Sequence, residues 1–582
     1  MKQIDLGGLS FAELREDDKY YVDKTLLIKD ILGTNDKGVY LFTRPRRFGK
    51  SMNLSMLDAF FNMRYKGNTW FDELAISDYP EFESYKNAFP VIHIDLGNAK
   101  ADTYEGFIDG MRVAVGTCFE SHRYLLEDDH LRPSIRKLFD SLEDMSTAES
   151  ILIRSILILS RTLMDRFGVK PIILIDEYDV AVSDAFGSES HEPMMSFLRS
   201  MMYASIKGNP YRGMVYVTGV MQIAKQSIFS DLNNIVVNNV FSEQSDERFG
   251  FTESEVKKIL DDYGFGDRFD IAKAWYDGYR FGDAEVYNPY SIMYFVSQGC
   301  KPKSYWVNSG RDVLIRDLLK SITSEKYTEI MKLVTGGSIL SEIIEAFPYE
   351  SIRRSGTPLY SLMVMSGYLN AVPTEERIVR KGRLYSLSVP NEEVRELVDG
   401  LMDKAYPIDT SDFVEFNRAV LEEDVHTMER TLTRIMSGAS YLNLKESTYQ
   451  AVVMTLMNML SDRYIVKVEA PAGQGRVDIL LSSKNRGDPC IIFELKVAEK
   501  EKDLDARVDE AFEQIHDRRY YDGMEGRVVL IGMAFWNKVP KVRIGSVMNG
   551  DGFAVSDTRS RRVRYRFLAP AFRCRCAYAL RG

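Results

Sequence analysis

The segment Val39-Tyr40-Leu41-Phe42-Thr43-Arg44-Pro45-Arg46-Arg47-Phe48-Gly49-Lys50-Ser51 restricts what this 582-residue chain can fold into more than any other. Val39–Thr43 reads as a buried strand and Ser51–Leu57 as the helix after it. A strand that turns through a glycine into a helix gathers free backbone N–H groups at the positive end of the helix dipole, which favours an anion. Against the phosphate-loop pattern G-x-x-x-x-G-K-[ST], Gly49, Lys50 and Ser51 fit, while Arg44 stands where the first glycine belongs. Gly49 lets the backbone close on phosphates, Lys50 reaches the β- and γ-phosphates, and the Ser51 hydroxyl suits Mg²⁺.

The other half of such a site is expected further along. Pro171-Ile172-Ile173-Leu174-Ile175-Asp176-Glu177 is an apolar strand ending in two acids. Asp176 is placed to hold the Mg²⁺ shell, and Glu177 to polarise water for attack on a γ-phosphate. Met214–Gly219 is a further strand, whose Thr218 hydroxyl is a candidate γ-phosphate sensor. With Pro90–Leu96, these runs alternate with helical patterns through about residue 240, the rhythm of a parallel α/β sheet. The nucleotide-contacting set is then Arg46, Arg47, Gly49, Lys50, Ser51, Asp176 and Thr218, with ATP and Mg²⁺ as the expected cofactors.

Composition matters mainly for what it excludes. With 45% hydrophobic and 27% charged residues, the chain is neither disordered nor low-complexity. No run approaches the ~18 apolar residues of a membrane span, since Arg154 interrupts Ile151–Leu159, and the start lacks an apolar signal region. Five scattered cysteines do not make a disulfide framework, and Cys574-Arg575-Cys576 has no second pair for zinc. A reducing cytoplasm and no membrane partner are the expectations.

Several strings resemble the bacterial AAA-ATPase-like family: Tyr20-Tyr21-Val22-Asp23-Lys24-Thr25, Arg44 to Ser51, Leu174 to Asp179, and Thr218-Gly219-Val220. Phe249-Gly250-Phe251-Thr252, Tyr276-Asp277-Gly278-Tyr279 and Tyr287-Asn288-Pro289-Tyr290 belong with them. The resemblance covers nearly the whole chain. It implies an additional-strand P-loop ATPase in residues 1–245, a helical region (a winged helix is one form of it) in 246–435, and a PD-(D/E)XK nuclease-like α/β domain of the restriction-endonuclease type in 436–582. It also implies that Arg44 is a family trait.

The far end supports this with chemistry of its own. Gly475–Leu481 alternates as a strand, a polar turn follows, and Cys490–Val497 is a second strand. Such a hairpin can bring Asp478 beside Glu494, with Glu494 and Lys496 on one face because strand side chains alternate. Two carboxylates suit Mg²⁺, the Leu495 carbonyl could add an oxygen, and Lys496 could orient water and stabilise phosphate charge. Glu446 lies on the preceding helix. Gln514 lies on the following one, with Arg518, Arg519 and Tyr520 available to phosphates and bases. Asp478 and Glu494 are thus candidate metal ligands; with Lys496, Gln514 and the distant Glu177 they form the candidate catalytic set.

The net charge of −10 conceals an asymmetry. From Tyr441 onward there are 24 basic and 18 acidic residues, and eight arginines follow Asp557. That tail could be a solvated strand or an edge that grips a nucleic-acid backbone. The expected partner is nucleic acid, DNA ahead of RNA, with homo-oligomerisation left open. Two rivals stand beside an ATPase-coupled nuclease: a nucleotide switch whose nuclease-like domain only binds nucleic acid, and a regulatory ATPase that engages proteins.

Overall fold

The computed structural model describes residues 2–565 apart from 34–37, 181–182, 184, 186–187, 222–234, 307–314, 316–317, 320–321, 323, 346–356, 379–381, 406–409, 439–445, 458–459, 461–462, 486, 550–553 and 558–559. They divide into two compact units, residues 1–318 with 332–401, and residues 319–331 with 402–582.

The first unit is built on strands β1 (Val39–Thr43), β2 (Val91–Asp95), β3 (Ile172–Asp176), β4 (Val215–Gly219) and β5 (Ile235–Asn238). Their order is β2-β3-β4-β1-β5, and every neighbouring pair is parallel. All residues of β1, β3 and β4 are buried, which explains their unbroken apolar runs: a parallel strand is covered on both faces. β4 separates β1 from β3, the arrangement that the additional-strand expectation requires. The carboxyl ends of β1, β3 and β4 therefore open side by side. Gly49, at φ +80°, turns β1 into the helix Lys50–Phe61, whose Leu54, Leu57, Phe60 and Phe61 are buried.

The rest of this unit is mainly helical, with strand features that the sequence pattern did not reveal. Thr252 and Glu255 form a capping box on helix Glu253–Asp262, and Asn288 caps Pro289–Ser297. With helix Phe269–Tyr276 they enclose a core around Ile259, Tyr276, Ile292 and Phe295. A hairpin of β6 (Tyr279–Phe281) and β7 (Ala284–Val286) projects from it. Strands β8 (Ile339–Glu342), β9 (Asn370–Ile378) and β10 (Gly382–Ser388) form a small antiparallel sheet in the order β8-β10-β9.

The second unit carries a seven-stranded mixed sheet running in chain order from β11 to β17. Its strands are β11 (Tyr464–Ala472), β12 (Gly475–Ser483), β13 (Cys490–Val497), β14 (Gly526–Trp536), β15 (Val539–Asn549), β16 (Ala554–Asp557) and β17 (Ser560–Tyr565). Among the described strands only the β13–β14 pair is parallel, because helix Leu504–Asp517 connects those two strands; the other neighbouring pairs are antiparallel. Helix Glu446–Met457 is fixed to the sheet by Tyr449, whose ring stacks on Phe535 at 4.3 Å and whose hydroxyl donates to the Asn537 carbonyl at 2.7 Å. Among the described residues no helix is long and apolar enough to cross a membrane. The arginines of the tail and Cys574-Arg575-Cys576 lie outside the residues whose side chains are described.

Candidate functional site

In the first unit, a cleft of about 670 Å³ is lined by Arg46, Arg47, Gly49, Lys50, Ser51 and Glu177. This volume falls within the range of small-molecule pockets. Lys50 Nζ donates to the carbonyls of Arg44 (3.0 Å) and Pro45 (2.9 Å), spanning the loop from within. Burial lowers its pKa to about 8, against the opposing attraction of Asp176, Asp179 and Glu177. Asp176 is buried at the end of β3 and accepts the Thr218 hydroxyl from β4 and the Glu177 N–H at 2.9 Å. Glu177 has φ +50°, a strained setting for a glutamate, and it lines the cleft. Ser51 is exposed on the first turn of the helix, where a hydroxyl can reach a bound ion.

Arg44 has another task. Its guanidinium is fully buried and donates to the Thr43 carbonyl (2.9 Å), the Asn238 carbonyl (3.0 Å) and the Asn238 side-chain oxygen (2.6 Å). It also lies 4.8 Å from the Phe249 ring and 5.1 Å from that of Phe281. Burial takes its pKa down to about 9, so it stays charged at neutral pH. Phe48 points the same way, packing edge-on against Tyr279 (4.8 Å) and Phe281 (5.0 Å). Arg47, at φ +67°, lies 4.4 Å above the Tyr290 ring. The loop therefore offers Gly49, Lys50 and Ser51 to the cleft and Arg44 and Phe48 to the protein.

Two other acids lie at this sheet end. Asp179 is buried and accepts the N–H groups of Val220 (2.9 Å) and Met221 (2.8 Å), so it holds the turn after β4. Asp95 pairs in register with Asp176 and accepts the Gly97 N–H at 2.7 Å. Burial raises its pKa, and the charges of Asp176 and Glu177 add to the effect. Sequence reasoning passed over Asp95, although it carries the signal that singled out Asp176: an acid closing an apolar strand.

In the second unit, β12 and β13 bring Asp478, Glu494 and Lys496 together. Asp478 Oδ2 accepts the Leu495 N–H at 2.6 Å, and Asp478 Oδ1 accepts the side-chain amide of Gln450 at 2.7 Å. Glu494 Oε1 accepts Lys496 Nζ at 3.0 Å and the Gln514 amide. Among the described residues, Glu494 Oε2 is buried with no hydrogen-bond partner. Burial and the neighbouring Asp478 raise the Glu494 pKa to about 7; Lys496 works against them. Burial would lower the Lys496 pKa, but Glu494 outweighs it and the net shift is upward.

These residues fit a hard divalent cation. An unpaired buried carboxylate oxygen is costly unless something positive meets it, and Mg²⁺ is commonly held by one or two carboxylates and several waters. Among the described residues no group of three or more His, Cys, Asp or Glu side chains forms a ready cage, so protein ligands would be few. The Leu495 carbonyl accepts Lys496 Nζ at 3.2 Å. Glu446, exposed on its helix, is close enough to act on the charge of Lys496. Tyr520 differs from expectation: it is buried against the β11–β12 turn, with its hydroxyl accepting from Gln514 at 3.1 Å, and does not present its ring to bases. Arg518 and Arg519 are exposed. Gln450 went unnoticed in the sequence because a lone amide on a helix carries no signal.

The comparisons agree with this division. Residues 5–229 match a family described as predicted AAA-ATPase, and residues 444–542 match the PD-(D/E)XK nuclease superfamily. A protein described as an uncharacterized protein in the vnfD 5' region of Azotobacter chroococcum mcd 1 is 25% identical over 555 residues, 92% of this chain and 96% of the relative. The chain joins an AAA-ATPase-like domain to a PD-(D/E)XK nuclease-superfamily domain.

Proposed function

We propose that the chain hydrolyses ATP in its first unit and cuts nucleic acid, DNA ahead of RNA, in its second, with nucleotide state governing the cut. The observation that carries the reading is the pairing of a buried Lys50 and Asp176 at one sheet end with Asp478, Glu494 and Lys496 at another. Each set combines the charges its chemistry needs.

In the first unit, Gly49 and the helix it opens would hold the phosphates, with Arg46 and Arg47 beside them and Lys50 supplying the buried cation. Ser51 and Asp176 would carry the shell of a Mg²⁺ ion, Thr218 fixing Asp176, and Glu177 would take the proton of the attacking water. The neighbouring Asp179 is a poorer candidate base: it is buried, its Oδ2 holds two backbone N–H groups, and Glu177, not Asp179, lines the cleft. In the second unit, Asp478 and Glu494 would hold Mg²⁺, which when bound acidifies water and offsets phosphate charge. Lys496 would orient that water and face the scissile phosphate, and Gln514 would keep Glu494 in place.

Incubating the purified chain with plasmid, Mg²⁺ and ATP, each omitted in turn, tests this. Cleavage that requires the metal and responds to ATP is the expected result. Salt-sensitive DNA binding without cleavage would favour the binding-module alternative.

A further inference from the structure

We propose that Gln450 is a positioning residue of the metal site in the second unit: it fixes Asp478 in the rotamer that faces the cation while leaving its negative charge intact. The inference rests on the reading of Asp478 and Glu494 as metal ligands.

The geometry sets two donors on the two oxygens of Asp478. The Leu495 N–H reaches Oδ2 at 2.6 Å, and the Gln450 amide reaches Oδ1 at 2.7 Å from the opposite element, helix Glu446–Met457. An ionised carboxylate only accepts, so the amide nitrogen must face it. Both side chains are buried, Gln450 at 6% and Asp478 at 8% exposure, and neither is free to rotate without losing partners. The helix is held in register one residue earlier, by Tyr449 on Phe535 and Asn537. Gln450 therefore approaches from a fixed base.

The choice of an amide follows from charge. A lysine or arginine here would neutralise Asp478 and repel a divalent ion. An apolar side chain would take a hydrogen-bond donor away from a buried carboxylate, which is costly. A neutral donor orients the oxygen without cancelling the negative charge that would attract the metal. Partners of this kind, which touch a ligand and not the ion, typically alter metal affinity 10–100-fold.

The test is calorimetric titration of Mn²⁺ into the purified full-length chain, without nucleic acid or nucleotide. Gln450→Met, which keeps the volume and removes the donor, is expected to weaken Mn²⁺ binding about 10–100-fold and to lower the metal-free melting temperature by a few degrees while the chain still folds. Gln450→Asn keeps the amide but shortens its reach, and is expected to lose affinity too; a role in packing alone would leave its affinity unchanged. Parental Mn²⁺ affinity in either folded variant overturns the proposal. A parent chain that binds no Mn²⁺ overturns the metal-site reading beneath it, a failure visible before any variant is made.

Discussion

Arg44 Nη2 meets the side-chain oxygen of Asn238 at 2.6 Å, so the position that a phosphate-loop consensus reserves for glycine is occupied by a charge that faces protein. Restoring the consensus should therefore do harm. Arg44→Gly removes three hydrogen bonds and two ring contacts from a fully buried site, a loss of about 3 kcal/mol or more. We expect its melting temperature to fall by several degrees and ATP affinity to weaken. A parental or improved melting temperature would show that the guanidinium is dispensable.

Lys50→Ala is expected to abolish ATP binding or turnover while the chain stays folded, since Lys50 is the buried cation of the cleft. The parent has a pH dependence of related origin. With a pKa near 8, Lys50 is charged at neutral pH and loses its proton above 8. ATP affinity should thus decline as pH rises from 7.5 to 9, by up to about tenfold per unit. Affinity that is flat across that range counts against Lys50 as the phosphate-binding cation.

Glu177→Gln is expected to bind ATP with near-parental affinity but hydrolyse it at least ~10²-fold slower, as for the loss of a general base. Asp179→Asn supplies the contrast. Its carboxylate holds the Val220 and Met221 amides, so the variant should lose melting temperature before it loses chemistry. Parental hydrolysis by Glu177→Gln would place the base elsewhere.

Asp478→Asn and Glu494→Gln should each lose divalent-dependent cleavage almost completely, because on the proposed reading few protein oxygens would hold the ion. Lys496→Ala should retain metal binding yet lose cleavage. None of the three should alter ATP binding. Cleavage that survives all three would count against the nuclease reading or point to a contaminating enzyme.

Metal binding in the second unit should depend on pH in the opposite sense to nucleotide binding in the first. Glu494, raised to about 7, carries a proton below that pH, and a cation must displace it. Mn²⁺ affinity should therefore rise as pH increases from 6 to 7.5, with release of close to one proton near pH 6 and less at 8. Calorimetry in two buffers of different ionisation enthalpy measures that proton; constant affinity without release would dissociate Glu494 from the metal.

Much of this was legible in the residues. β1 was readable to the residue, and β3 and β4 to within a residue at their starts, because buried parallel strands are unbroken apolar runs with sharp ends. β12 and β13 were legible through their turn and their alternation. β11 and β15 were not: Tyr464–Ala472 and Val539–Asn549 mix lysine, proline and glycine into their pattern, and pairing with neighbours makes them strands. The hairpin at Tyr279–Val286 is too short to carry a period. In the sites, acids at strand ends announced themselves, whereas the Gln450–Asp478 contact joins residues 28 apart and exists only once a helix has docked.

The family match in the first unit ends at residue 229, but the phosphate loop does not end its dealings there. Asn238, Phe249, Tyr279, Phe281 and Tyr290, which receive Arg44, Phe48 and Arg47, all lie beyond it. Pro45 likewise abuts Gly367, where an added methyl group would come within 2.8 Å. A chain cut at 229 would thus keep the phosphate loop and Glu177, lose Arg248, Phe251, Tyr290 and Tyr294 from the wall of the cleft, and strand a guanidinium and a phenyl ring in water. Nucleotide binding is consequently not a portable cassette in this protein: it can be excised or transplanted only together with the hairpin and helices that hold the back of its loop.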